Sequence, residues 1–153
     1  MKRMYWMGIA TALLGAAVVL PAQEKALTMG HLPAAVQAAV KAELAKGATL
    51  RGLSTEVENG RREYEAELTV KGARRDIAMD AAGTILETED QVTLASLPTA
   101  ARAALQRQGK VLSVESVTEH GRFTAFEAVV RKTNGKRTEV RVDRNGNSVA
   151  DNG

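Results

Sequence analysis

There is no cysteine among the 153 residues, so neither a disulfide nor a cysteine-ligated zinc can staple this chain. Aromatic residues are nearly as scarce, with one Trp, two Tyr and two Phe. A core must then come from Ala, Val, Leu, Ile and Met, which bury less area per residue than aromatic rings. No phosphate-binding glycine loop and no GxSxG elbow occurs, which removes the familiar nucleotide-binding and serine-hydrolase readings. What remains is 44% hydrophobic and 25% charged, the composition of a globular protein.

The one long apolar run lies at the start. Lys2 and Arg3 precede Met7–Leu20, and Pro21-Ala22 follows before Gln23. That order is the pattern of a secretory signal peptide, expected to cover residues 1–22. A membrane span needs about 20 apolar residues; this run is shorter and contains Gly8, Thr11 and Gly15. With no cysteine after it, a lipoprotein anchor is excluded. The expectation is a periplasmic or secreted protein with no stable membrane anchor after cleavage.

Export also changes the charge. Lys2 and Arg3 lie in the leader, so its removal takes the 21 bases to 19 against 18 acids, a net charge of +1. Bases alternate with acids, as in Gly60–Glu67 (GRREYEAE). Without a one-sign basic patch, nucleic acid is not an expected partner.

The remainder repeats an order of signals. Leu32-Pro33 and Leu97-Pro98 each open an Ala-rich segment, and proline suits a first helical turn. Val36, Ala39, Val40 and Leu44 share one face at helical spacing, as do Ala101, Ala104 and Leu105. Gly47 and Gly109 stand where each helix should stop. The period then changes to two. Tyr64, Ala66, Leu68 and Val70 alternate with polar residues, as do Thr124, Phe126, Ala128 and Val130. Turn signals follow in matching order: Asn59-Gly60 with His120-Gly121, Lys71-Gly72 with Asn134-Gly135, and Ala82-Gly83 with Asn145-Gly146. The expected fold class is α+β, with two tandem repeats at 31–90 and 91–153. Each repeat is one helix packed on an antiparallel meander of about four strands.

These motifs resemble the PepSY-like repeat of exported bacterial proteins, also described as beta-lactamase-inhibitor-like. The resemblance rests on the two Leu-Pro helix starts, on Tyr64-Glu65 and Phe126-Glu127, and on the closing turns Asp80–Gly83 and Asp143–Gly146. It covers His31 to Asp151. The family brings no agreed catalytic residues. It implies binding, with inhibition or regulation of a peptidase or other envelope protein as its form, and no enzyme activity or cofactor.

Chemical candidates are few. Asp143, Asn145, Asn147 and Asp151 place oxygens near the spacing of a calcium loop, and calcium or small-ligand binding by the Asp143–Asp151 turn is the alternative function. Such a loop wants Gly at position 6 and an acid at 12, whereas Gly146 sits at position 4. The matching turn Asp80–Thr84 (DAAGT) keeps the Asp and Gly but no middle ligand. His31 and His120 are the only histidines and fit helix-start and turn positions. No catalytic, cofactor-binding or metal residue is therefore assigned. The expected partner is an exported protein or peptide, met at an open strand edge or on the polar sheet face.

Overall fold

The computed structural model describes residues 25–58 and 60–150; the expected leader 1–22, Asn59 and Asp151 lie outside them. Among the described residues eight strands occur: β1 Lys25–Ala26, β2 Thr49–Glu58, β3 Arg61–Val70, β4 Ala73–Met79, β5 Ile85–Gln91, β6 Lys110–Glu119, β7 Arg122–Arg131 and β8 Arg137–Val142. Helix α1 spans Ala34–Ala45 and α2 spans Thr99–Gln108. Both begin directly after the proline of a Leu-Pro pair. Short 3-10 turns, Met29–His31 and Leu94–Ser96, lead into them.

The expectation of two tandem repeats, each on its own meander, is corrected by the topology. All eight strands form one antiparallel sheet in chain order, so the fold is α+β but built on a single sheet. The decisive contact is β5 with β6, in register from Glu87↔Glu119 to Gln91↔Glu115. Had the first meander ended at β5, that strand would present a row of unsatisfied backbone groups. Pairing with β6 satisfies them. The expected boundary at 90/91 falls inside β5, and a 3-10 turn at Leu94–Ser96 leads from that strand into α2.

Local chemistry explains the hairpins. Lys71-Gly72 and His120-Gly121 both have positive φ at two successive residues, as a type I′ turn requires. Wider turns close at Asp80–Thr84, Lys132–Lys136 and Asp143–Asn147. In each, the first residue's N–H donates to the fifth residue's carbonyl, and the glycine's N–H donates back to the first residue's carbonyl. After β8 the described residues add a bridge between Val142 and Ser148.

Both helices cover the same side of the sheet, over separate cores. Val36 and Val40 of α1 pack with Leu53, Ala66, Leu68, Ile77 and Met79. Ala101, Ala104 and Leu105 of α2 pack with Val114, Ala128, Val130 and Val142. Between these cores, on the same side, the register aligns polar residues of β5 and β6: Thr88 with Thr118, and Asp90 with Ser116. Arg75 of β4 closes this strip by a bidentate pair with Asp90, at 2.6 and 3.0 Å. The β5–β6 seam thus lacks an apolar core of its own.

Candidate binding face

Strand side chains alternate between faces, so the residues between the core positions define the other side of the sheet. Three rows cross its middle. Ser54, Glu65, Ala78, Glu87 and Glu119 make the first; Gly52, Glu67, Asp76, Glu89, Val117 and Ala125 the second. Gln91, Glu115, Glu127 and Arg141 make the third. Among the described residues no helix lies on this face, since both helices pack over the cores of the other side.

Carboxylates dominate these rows, and three arginines thread between them. Arg51 sits at the β-bulge between Leu50 and Gly52, where the extra residue turns its side chain toward Asp76 (3.1 Å) and Glu67 (3.3 Å). Arg74 on β4 reaches Glu115 on β6 at 3.4 Å. Arg141 on β8 donates through Nε to Glu127, its direct partner on β7. Its other nitrogens approach Glu119 at 3.8 Å, Glu87 at 3.9 Å and Glu89 at 4.0 Å. To get from β8 to β5 the guanidinium must cross β7 and β6, and the register puts the short residues Ala125 and Val117 on that path. Both are buried. Longer side chains at those two positions would block the arginine's course.

Burial holds the Glu87 carboxyl above its usual range; Arg141 pulls it down, while Glu119 and Glu127 push it up.

The calcium candidates have other work. Asp143 Oδ1 accepts the backbone N–H of Asn145 at 2.8 Å and of Asn147 at 2.9 Å, and its Oδ2 accepts the Asn147 side-chain amide at 2.9 Å. These bonds, the Asn147 side chain first, lower the Asp143 pKa. Asp80 Oδ1 does the same in the matching turn, accepting the N–H groups of Ala82 and Thr84 at 2.9 Å. The shared chemistry is a turn held by its own aspartate. Among the described residues no group of three or more His, Asp or Glu is arranged to hold a metal.

The histidines are not brought together with the carboxylate cluster. His31 Nδ1 lies 2.8 Å from Thr28 Oγ1 in the 3-10 turn before α1. His120 sits at the β6–β7 turn, where its backbone N–H donates to Leu86 of β5 at 2.8 Å. Sequence reasoning missed the Arg141 cluster altogether. Its one signal was a lone base between two inward valines, Val140-Arg141-Val142, facing strands otherwise rich in glutamate.

Among solved structures the architecture recurs. A BLIP-like protein from Bacteroides fragilis is 25% identical, with a TM-score of 0.57 over 79% of this chain and 86% of that one. The fold is similar to that of BLIP-like proteins. A protein from Bacteroides eggerthii that is assigned to the periplasm matches with a TM-score of 0.63 at 19% identity, over 79% of this chain and 88% of its own. A DUF2874 family protein from Bacteroides ovatus matches with a TM-score of 0.60 at 18% identity, over 78% and 85%. No family model matches the chain, and no curated protein does. The beta-lactamase-inhibitor-like side of the sequence resemblance thus has a counterpart among solved structures. Among the described residues no helix is long and apolar enough to cross a membrane.

Proposed function

We propose that this chain is an exported, non-catalytic module that binds a partner protein through the polar face of its sheet, on which no helix lies among the described residues. The observation that carries this reading is the one-sided architecture. Both helices and both cores lie on one side, leaving a broad face on which carboxylates and three arginines are laid out in register. Arg51, Glu67, Arg74 and Glu119 are partly exposed on this face, and their charges suit recognition by electrostatic complementarity, which favours fast association and rejects partners of the wrong charge.

The leader-like start of the sequence supports export, as does the periplasmic assignment of the Bacteroides eggerthii neighbour. The BLIP-like neighbour supports a binding role in place of catalysis. Inhibition or regulation of a peptidase or other envelope protein is the form of binding the family resemblance implies. The test is capture of one partner from an envelope fraction by wild-type protein and by a variant carrying Glu67→Gln and Glu119→Gln, two partly exposed face positions. Binding that is weakened in the variant and by added salt supports the reading. Equal capture by both proteins contradicts it.

A further inference from the structure

The fold gathers at one end of the sheet a set of bases that the sequence keeps apart. Lys110 opens β6, Arg131 closes β7 and Arg137 opens β8. The register sets Lys110 opposite Arg131, and Arg131 opposite Arg137. Lys132 and Lys136 bound the turn between β7 and β8, where Lys132 donates its N–H to the Lys136 carbonyl at 2.9 Å. All five cations are exposed, and no acid lies within 105–113 or 128–138. Among the described residues none of the five enters an ion pair. Gly109 closes the corner between α2 and β6. A Cβ there would lie 2.5 Å from the Arg131 carbonyl oxygen, so glycine lets Lys110 start its strand hard against the end of β7.

Like charges directly opposed across strands are destabilising. The fold does not require them here, because the matching row in the first half of the sheet is Thr49, Thr69 and Arg74. Beside the row of bases, Leu112 occupies the β-bulge between Val111 and Ser113 and is 36% exposed. We propose that this end of the sheet is a docking surface for an anionic lipid bilayer, to which the exported protein adsorbs reversibly.

Clustered Lys and Arg are drawn to anionic headgroups, each adding a similar increment near the surface. Five cations spread over three strand ends and a turn can meet a flat charged plane together. The exposed Leu112 supplies an apolar side chain for the headgroup boundary. Neither basic segment holds an aromatic residue, so the stacking platform that suits single-stranded nucleic acid is missing there. The basic end also lies apart from Glu119, which stands at the far end of β6. This inference stands independently of which partner the polar face takes.

Co-sedimentation with vesicles tests it, using protein purified from the envelope after export. In low salt, vesicles of phosphatidylglycerol and phosphatidylcholine in equal parts should bind wild type, and vesicles of phosphatidylcholine alone should not. Arg137→Gln should weaken binding about fivefold. Arg131→Gln, Lys132→Gln, Lys136→Gln and Arg137→Gln together should weaken it at least about a hundredfold. Arg131→Lys with Arg137→Lys keeps the charges and should stay within about threefold of wild type. Leu112→Ser should weaken binding about threefold or more; circular dichroism checks the fold of each variant. Salt at about 1 M, where the screening length is about 3 Å, should release the protein. Wild type that ignores anionic vesicles, a quadruple variant that binds them as wild type does, or binding to soluble polyglutamate without binding to vesicles would each overturn the proposal.

Discussion

Arg74 Nη2 stands 3.4 Å from Glu115 Oε1, joining β4 to β6 across the intervening β5. Arg141 makes the reciprocal reach from β8 back to Glu87 and Glu89 on β5. Each arginine starts on one side of the β5–β6 seam and ends on the other. The seam has backbone pairing but no apolar core of its own, and Glu87 opposes Glu119 directly across it. Among the described residues these two arginines fasten the halves of the sheet through their side chains.

Removing them should show as lost stability and lost cooperativity. Arg141→Met strands buried carboxylates and is expected to cost about 3–5 kcal/mol. Arg74 is about a third exposed at 35%, so Arg74→Ala should cost less than about 1 kcal/mol. Urea unfolding gives both values. In the double variant, hydrogen exchange should show the amides of β2–β4 and β7–β8 opening at different free energies, as separate cooperative units do. A single shared opening energy would show that backbone pairing alone holds the seam.

Glu87 provides a pH test with a definite sign. Its folded pKa lies above the ordinary 4.5 because burial disfavours the anion, with Glu119 and Glu127 adding repulsion. The folded state therefore holds this proton more tightly than the unfolded chain. The resulting stabilisation is complete below about 4.5 and is lost as pH rises through the folded value. Glu87→Gln, which mimics the protonated form, should melt higher than wild type at pH 7, and the difference should shrink as the pH falls through the folded value toward 4.5. A variant that melts lower at neutral pH would show that attraction to Arg141 outweighs burial.

Two turns are locked against the helices by glycine. A Cβ on Gly83 would lie 2.6 Å from the Ala35 carbonyl oxygen of α1, and one on Gly146 would lie 2.6 Å from that of Ala100 on α2. Both also have positive φ, +76° and +82°. Gly83→Ala and Gly146→Ala should each destabilise by about 2–4 kcal/mol, combining backbone strain with a clash. Gly135 has the same φ of +82° and open space around it, so Gly135→Ala isolates the strain and should cost about 1–2 kcal/mol. Chemical denaturation of the three variants separates the terms.

Much of this arrangement was legible in the sequence. Both Leu-Pro pairs open helices, Gly47 and Gly109 end them, and the glycine turns separate strands that alternate as the period-two pattern implies. These signals are local, which is why they survive. The β5–β6 pairing was not legible, because it joins residues 87–91 to 115–119 across the whole of α2. Both strands also alternate polar residues on both faces there, so neither advertises a partner. The Arg141 cluster was hidden for the same reason, since its carboxylates come from three strands and converge only once the sheet is continuous.

The Asp143 turn, read from sequence as a possible calcium loop, yields a contrasting test. Hydrogen bonds from Asn147, its side chain first, hold the Asp143 carboxyl below its ordinary 3.8. The stabilisation is present above that value and is lost as pH falls through the folded pKa. Asp143→Ala should therefore lower the melting temperature at neutral pH, with the difference narrowing in strong acid. Millimolar calcium should leave the wild-type melting temperature unchanged, because the aspartate oxygens already accept three N–H donors. A rise in melting temperature with calcium, absent from Asp143→Ala, would restore the metal reading.

The binding face itself is tested most directly by site-specific photo-cross-linking in the envelope of the producing cell. A photoreactive residue replaces Glu67 or Glu119 on the polar face, or Lys41 or Arg107 on the exposed surfaces of α1 and α2. The expected result is one discrete adduct, with the same protein from both face positions and nothing from the helix positions. Adducts from the helix positions alone, or none from Glu67 and Glu119, would contradict the assignment of the helix-free face as the site of partner binding.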